Sequence, residues 1–356
     1  MKHILFIMCL LCSPAVLMSQ TRVEKKIATK ASGYGVTYSL PVTSLIINIE
    51  VIKETRIAGR YYRYAEKYLG VKDAVTEDAV SHELGKITLE NKGIPDANNT
   101  YTVEFKAGTV APYVYLTEDG LLCSINADYT PPAAPATSPA QTEKPKNRAG
   151  SATAVFTEEL LMAGSMARQA EVAAKQIYHI RESKMDILTG DADNLPPDGE
   201  AMKLVIAQLE EQESALTTLF TGTRTTETSY YDVRIMPQDN LEDEILFRFS
   251  QKAGLLDADD LGGAPVYMNL TATERAPELT PKEAEKKEKM KGIIYNVPGK
   301  AAVEIRTAQE ALFKSEVQVV QFGTYELLAP AMFEDKKTPV KVLFYPETGA
   351  LKQIIQ

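Results

Sequence analysis

Histidine, the side chain most often used for metal binding and proton transfer near neutral pH, is scarce in this chain, which contains 3. His82-Glu83 begins like the zinc-protease motif, but the position four residues after His82 is Lys86, so the second metal ligand is missing. His179 lies in the middle of a predicted helix, where we interpret it as a partly buried structural residue. Neither histidine predicts a metal site or a catalytic site.

Two candidate nucleophiles also lack the partners that their chemistry needs. Cys123 follows two leucines on a predicted strand, and no histidine motif accompanies it, so a packed core thiol is the favoured interpretation. Ser165 lies in the sequence AGSMA, which lacks the second glycine of a hydrolase elbow and falls within a predicted helix. No phosphate-binding loop or dinucleotide fingerprint is present, and no cofactor is expected.

An acidic loop provides the oxygen ligands that calcium prefers. Asp191, Asp193 and Asp198 are the weak calcium candidates. The spacing does not match an EF-hand, and two prolines lie between the last two of these aspartates. The alternative is that Asp198 caps the following helix and the other carboxylates remain in solvent, and we therefore predict no metal site.

A row of tyrosines is the candidate ligand-binding surface. The segment RYYRYAEKYL, residues 60–69, places Tyr61, Tyr64 and Tyr68 along one face of a predicted helix. Tyrosines interleaved with cations can stack on sugars or bases, whereas the commoner use of such a row is to cover a sheet. The chain has no tryptophan, the residue that most often stacks on sugars.

The N-terminus has the layout of a secretory signal peptide. Lys2 supplies a positive charge, Ile4 to Leu11 form an apolar run, and cleavage is expected after Ser19. The apolar run is shorter than the roughly 20 residues that span a bilayer. Cys9 and Cys12 raise the alternative of a lipid anchor, but neither follows the small residue that lipidation requires. The prediction is therefore an exported protein of the periplasm or the extracellular space.

Composition restricts the partners of the mature chain. Residues 1–19 contain one Lys and no acidic residue, so 38 Lys and Arg (39 less 1) and 48 Asp and Glu give a net charge of −10. An acidic surface argues against nucleic-acid binding and against binding to anionic membranes. Cys123 is the one cysteine left, so an internal disulfide is excluded.

The chain divides into regions of different pattern. We predict a signal peptide at 1–19, an N-terminal β domain with one short helix at 20–129, and a proline-rich linker at 130–149. A helical hairpin follows at 150–222, with predicted helices over 158–188 and 200–220. The remaining residues, 223–356, predict a C-terminal β domain with one charged helix that begins at the capping box of Thr280. The fold class is therefore α+β, with two mostly antiparallel β domains flanking a long antiparallel helical hairpin.

The two β regions share sequence blocks in the same order. GVTYSLP, residues 35–41, matches GIIYNVP, residues 292–298, with Gly, Tyr and Pro at equal spacing. VYLTEDGLLCSI, residues 114–125, aligns with LFYPETGALKQI, residues 343–354, through a hairpin with Glu and Gly at matching places. The pattern favours two diverged copies of one β module over chance similarity between two hairpins.

The same pair of motifs, together with QIYHIRESKMDILTG at 176–190 and NLPPDGEA at 194–201, resembles the domain of unknown function family 4831, secreted proteins of Bacteroidota. The similarity covers nearly the whole mature chain. The family has no assigned activity or catalytic residues, so the resemblance implies an exported protein and no mechanism.

Two functions remain open at this stage. The leading hypothesis is a non-catalytic envelope protein that binds protein or polysaccharide partners or serves a structural role. The alternative is a hydrolase that cleaves envelope or extracellular glycans or peptides with a pair of carboxylates, because the fold could bring together two of the many acidic residues. A deep cleft with two carboxylates of raised pKa would favour the hydrolase. The sequence leaves the oligomeric state open.

Overall fold

The computed structural model describes residues 22–25, 35–104, 113–131, 157–192, 199–289, 291–333 and 340–355. The predicted signal peptide and nearly all of the predicted proline-rich linker lie outside these residues. The described chain is a mixed α+β structure with two sheets and few helices, which confirms the predicted fold class at that level.

The first sheet has four strands in the order β1-β3-β2-β6. They are β1 (Arg22–Lys25), β2 (Gly35–Ile57), β3 (Ala79–Glu104) and β6 (Thr223–Ile235). β2 and β3 form one very long antiparallel hairpin, and β6 pairs with the other side of β2. β2 is rich in β-branched residues, which favour extended backbone.

The second sheet has nine strands, in the order β4-β5-β12-β13-β10-β9-β7-β8, with β11 also paired to β10. Their bounds are Val114–Leu116 (β4), Leu122–Ile125 (β5), Leu241–Ser250 (β7), Gly254–Leu256 (β8), Ala264–Glu274 (β9), Ile293–Arg306 (β10), Ala311–Leu328 (β11), Lys341–Tyr345 (β12) and Ala350–Ile355 (β13). Strands pair across the predicted domain boundaries. β5 precedes the linker but pairs with β12, and β6 follows the helices but pairs with β2.

The two sheets pack face to face around one large apolar core. Leu45, Ile47 and Ile49 alternate along β2 and are fully buried against Met268 of β9 and Val303 of β10. These three residues lie two positions apart and therefore project from the same face of the strand. Burying each such side chain stabilises the fold by about 1.5–3 kcal/mol.

The helices form a separate small core at one end of the first sheet. They are α1 (Ala65–Leu69), which follows a 3₁₀ turn at Tyr62–Tyr64, then α2 (Glu158–Met162), α3 (Met166–Thr189) and α4 (Gly199–Thr221); α5 (Pro281–Glu288) lies between β9 and β10. The predicted single helix over 158–188 is wrong. The helical conformation ends at Ala163. Ser165 is the N-cap of a new helix, and its hydroxyl accepts a hydrogen bond from the Arg168 N–H. Glycine at position 164 weakens helix propagation there.

Backbone hydrogen bonds fix the helical core to the end of the first sheet. The N–H groups of Tyr61 and Val75 donate to the carbonyls of Leu219 (2.6 Å) and Thr221 (2.8 Å), which are otherwise free carbonyls at the end of α4. Gly222 follows with a φ of +72°, and a Cβ there would lie 2.4 Å from a backbone oxygen. Only glycine fits this close approach.

The long hairpin of the first sheet contains a bulge at the proline motif GVTYSLP. Ser39 faces Thr100, and two residues later Pro41 faces Pro95. Over the same interval β3 advances five residues, so β3 carries three extra residues (5 − 2). Such bulges bend a strand and increase its twist.

The hairpin of β10 and β11 has a similar irregularity, one position later relative to the matching motif, GIIYNVP. Val297 faces Thr324, and two residues later Gly299 faces Val319. β11 also advances five residues while β10 advances two, so the excess is again three.

A second coincidence links each motif to the glycine of a later hairpin. The Ser39 N–H donates to the Gly120 carbonyl at 3.0 Å, and the Asn296 N–H donates to the Gly349 carbonyl at 3.0 Å. Both glycines have positive φ, +83° and +68°. Ser39 and Asn296 occupy the same place in the two motifs, and Gly120 and Gly349 occupy the same place in the two aligned hairpins.

Candidate binding surface

The tyrosine row packs against the helices. Tyr61 is 1% exposed, and its ring lies 5.5 Å from that of Phe220 on α4, so it is unavailable for stacking on a ligand. Tyr64 and Tyr68 are partly buried against the same helical core and keep part of their surface in solvent. The hydroxyl of Tyr178 on α3 donates to the Tyr68 carbonyl at 2.7 Å. The packing of these tyrosines therefore joins α1 to α3 and α4.

The acidic loop is only partly described, because Asp193 and Asp198 lie outside the described residues. Asp191 is exposed, and its carboxylate accepts a hydrogen bond from the Thr189 hydroxyl at 2.8 Å. Its N–H donates to the Asp186 carbonyl at the end of α3. Within the described ranges, no three His, Cys, Asp or Glu residues lie together as a metal-binding group.

The two candidate histidines, His82 and His179, lie in different environments. His82 lies where the first sheet meets the second: its N–H donates to the Gln251 carbonyl at 2.8 Å, and its ring packs on Gly254. His179 is exposed on α3, so the prediction of partial burial is wrong. The buried side of α3 runs through Ala173, Ile177 and Ile180, and position 179 falls outside that stripe.

Cys123 is a core thiol. It is fully buried on β5, and its sulfur contacts the Leu121 carbonyl at 3.7 Å. Burial raises the pKa of the thiol to about 11, and a weaker hydrogen bond with Tyr129 acts in the opposite direction. The thiol is therefore protonated at neutral pH and is a poor nucleophile.

Carboxylates with shifted pKa values are engaged by hydrogen-bond donors. In the described segments, four carboxylates have a shifted pKa, and in each the pKa is lowered: Glu171, Glu213, Asp239 and Glu283. For Glu213 on α4 the cause is its hydrogen bonds from Arg181 (2.6 Å) and Lys184 (2.9 Å) on α3. This direction stabilises the charged form, the opposite of what a general acid needs.

Large apolar side chains are exposed on α3 and α4. Leu188 in the last turn of α3 is 65% exposed, and Leu204 near the start of α4 is 71% exposed. Met185 on α3 is also exposed. At the opposite end of α3, the exposed Met162 of α2 borders a groove of about 520 Å³ with Glu158 and Glu159 on its rim. Exposed apolar side chains gathered at one end of two helices are typical of a contact surface.

Two features of this part of the chain were not predicted from the sequence. The helical stripe suggested one continuous helix, although the Gly-Ser pair in AGSMA was a signal for a break and a new N-cap. The strand β6 was not identified as a separate element, although the four Thr residues among positions 223–228 favour a strand. No helix in the described ranges is long and apolar enough to cross a membrane.

Comparison with known proteins gives one match. The model of the family described as domain of unknown function (DUF4831) matches residues 34–352, nearly the whole chain. No curated protein and no solved structure shows significant similarity. The matched range includes both β regions and the helices between them, and the chain therefore belongs to the DUF4831 family.

Proposed function

We propose that this protein is an exported, non-catalytic binding module of the cell envelope that contacts a protein or polysaccharide partner through its helices. The observation that carries the proposal is the exposure of Leu188 and Leu204, together with Met185, at the end of α3 and α4. An exposed leucine that contacts a partner loses apolar surface to water, and this favours association. The ion pairs of Arg181 and Lys184 with Glu213 hold the two helices together, which supports the proposed antiparallel hairpin.

Export is supported by the sequence of the first 19 residues, with Lys2, the apolar run and the small residues before Gln20. The thiol of Cys123, which is buried and protonated, fits a protein that works without redox chemistry of its own.

The framework that carries the helices is, in this proposal, a duplicated β module. We define the first β unit as the hairpins β2–β3 and β4–β5, and the second β unit as the hairpins β10–β11 and β12–β13. Two matched geometries support the duplication: each long hairpin has three extra residues at the proline motif, and each motif bonds the glycine carbonyl of its own later hairpin. Chance similarity between turns does not require either match.

Crosslinking in the native envelope tests the binding function. The unmodified protein should recover the same envelope partner over several crosslinker concentrations. The double variant Leu188→Glu, Leu204→Glu places charge on the proposed contact and should reduce recovery of that partner at least about tenfold, since each buried leucine is worth about 1.5–3 kcal/mol. The recovered chain should begin at Gln20 by mass spectrometry.

The control variant is Lys203→Glu, which adds negative charge to the same exposed part of α4 but removes no apolar surface. It should recover the partner as the unmodified protein does. Recovery of the chain alone under every condition, or equal loss with the control, contradicts the binding proposal. Turnover of any member of a glycan and peptide panel would favour the carboxylate hydrolase.

A further inference from the structure

The strand β6 is an open edge of the first sheet. In the part of the chain that the structure describes, β6 pairs with β2 on one side and with no strand on the other. The pairing with β2 runs without a register shift from Leu45–Ile235 to Ile57–Thr223. β6 contains no proline and its pairing with β2 has no bulge, so two of the devices that usually protect an edge from another strand are absent from it.

We propose that β6 pairs with β6 of a second copy of this chain, in an antiparallel arrangement about a twofold axis. This proposal is independent of the proposed function, because it concerns β6 and not the exposed ends of α3 and α4. A closed, self-complementary contact of this kind is the commonest way in which identical chains associate.

Backbone geometry restricts the possible registers. Residues along β6 alternate between those whose N–H and C=O groups face β2 and those whose groups face outward. An outward-facing residue needs an outward-facing partner. In two identical strands, a residue can therefore face only a residue that is an even number of positions away along the sequence. The twofold axis then passes midway between the two copies of one residue, and that residue faces its own copy.

Charge favours one register in the middle of the strand over its two neighbours. With Thr228 on the axis, Arg224 faces Asp232 of the second copy, and the same pair occurs a second time by symmetry. The neighbouring registers bring like charges together: an axis at Ser229 places Arg224 opposite Arg234, and an axis at Glu227 places that carboxylate opposite itself. Opposite charges directly across a strand pair are favourable and like charges are unfavourable.

The other pairs of the Thr228 register are also compatible. Thr225 faces Tyr231 and Thr226 faces Tyr230, which are the β-branched and aromatic pairs that stabilise strand pairing. Glu227 faces Ser229, and its carboxylate is already paired with Lys53 in the same chain at 3.2 Å. No charge is left opposite an apolar side chain.

The single chain leaves the two charges that this register would join without an ionic partner. The Asp232 carboxylate makes no ion pair or side-chain hydrogen bond within the described residues, and its neighbour on β2 is the uncharged Asn48. Arg224 donates to the Asp73 carbonyl at 3.1 Å, and its neighbour on β2 is Arg56, which carries the same charge. Asp232 of a second copy would supply the missing negative charge.

Sedimentation of the purified chain at low ionic strength, where surface charges are weakly screened, tests the proposal. The unmodified chain should form dimers. Arg224→Glu and Asp232→Arg should each weaken dimerisation at least about tenfold, because each places two like-charge pairs in the contact. The double variant Arg224→Glu, Asp232→Arg restores opposite charges and should recover the original affinity to within about threefold.

Arg234→Glu is the matched control. It changes an exposed arginine on the same face of β6, which in the Thr228 register faces Gly222 beyond the end of the strand. Dimerisation should be unchanged. If Arg234→Glu weakens the dimer as much as Arg224→Glu does, or the double variant fails to recover, the register is wrong. A chain that remains monomeric up to roughly 100 μM, a concentration at which even weak contacts are populated, overturns the proposal.

A disulfide gives a second measurement that does not depend on charge. Thr228→Cys places two thiols opposite each other on the axis and should give a crosslinked dimer under mild oxidation. Thr226→Cys places the two thiols four residues apart along the strands, roughly 13 Å, and should not. Equal crosslinking of both variants would contradict the register.

Discussion

The two β units agree in their paired strands and differ in what joins them. In the first β unit, β2 and β3 are connected by residues 58–78, which contain α1 and contact the end of α4. In the second, β10 and β11 are joined by a short turn in which the Thr307 N–H donates to the Glu310 carbonyl at 2.8 Å. The comparison teaches that the two hairpins are alike in their paired strands and bulges, whereas the connection at the end of each hairpin differs in length and content.

A second difference lies at the position shared by Ser39 and Asn296. The Ser39 hydroxyl bonds Thr100 within its own hairpin at 2.9 Å. The Asn296 side chain is 5% exposed and donates to two carbonyls, Pro41 of the first β unit at 3.0 Å and Thr348 at 2.9 Å. At this motif position the second β unit therefore contributes a side-chain link to the first, whereas the first β unit contributes none to the second.

Asn296→Ala should produce the largest loss of stability. The substitution leaves the carbonyls of Pro41 and Thr348 buried without these donors and opens a cavity, so the free energy of unfolding should fall by about 3–4 kcal/mol. Ser39→Ala, the matched change, removes one hydroxyl–hydroxyl bond and should cost about 0.5–1 kcal/mol. Urea unfolding with linear extrapolation measures both. Equal losses would contradict an asymmetric link.

The two hairpin glycines sharpen the comparison, because both have positive φ but differ in their surroundings. A Cβ on Gly349 would lie 2.7 Å from Pro41 Cδ and 3.0 Å from Asn296 Nδ2, whereas nothing lies within 4 Å of a Cβ on Gly120. Gly120→Ala should therefore cost about 1 kcal/mol from backbone strain alone. Gly349→Ala adds a steric clash and should cost about 2–3 kcal/mol.

The same urea titrations measure the glycine pair. A Gly120→Ala variant that loses as much stability as Gly349→Ala would show that backbone strain, and not contact with the first β unit, dominates at both sites.

Strand periodicity and helix caps made much of the fold predictable. The β-branched run over 42–52 indicated a strand, which lies within β2, and Thr280-Pro281 with Glu283 predicted the start of α5, where both capping-box hydrogen bonds are present. These signals are local, so the residues themselves contain them.

Long-range pairing was not predictable in the same way. Nothing in the sequence of β6 indicates that it pairs with β2, more than 160 residues away. Nothing near Asn296 indicates that its side chain donates to the Pro41 carbonyl. Tyr61 shows the same limit at the candidate site. Its place in the row was clear, but its burial depends on Phe220 of a distant helix.

Tyr38 and Tyr295 hold the same position in the two motifs and provide the finest test of the comparison. The buried Tyr38 hydroxyl accepts from the Ile294 N–H at 2.9 Å and donates to the Ile294 carbonyl at 3.0 Å, so it links the first β unit to the second. The Tyr295 ring packs beside Phe344 and is only partly buried. Tyr38→Phe should cost about 2 kcal/mol, and Tyr295→Phe less than about 0.5 kcal/mol.

Alkaline pH should reduce the loss of unfolding free energy that Tyr38→Phe causes. Burial raises the pKa of Tyr38 above its ordinary value, so above about pH 10 the unfolded chain releases this proton while the folded chain retains it. The stability that the protonated hydroxyl contributes is complete below pH 10 and is lost as the pH rises beyond it. Phenylalanine has no such proton, and the other tyrosines titrate alike in both chains. Between pH 9 and pH 11 the difference in unfolding free energy should therefore narrow by about 1 kcal/mol. A difference that stays constant or widens would mean that Tyr38 is not held protonated between the two β units.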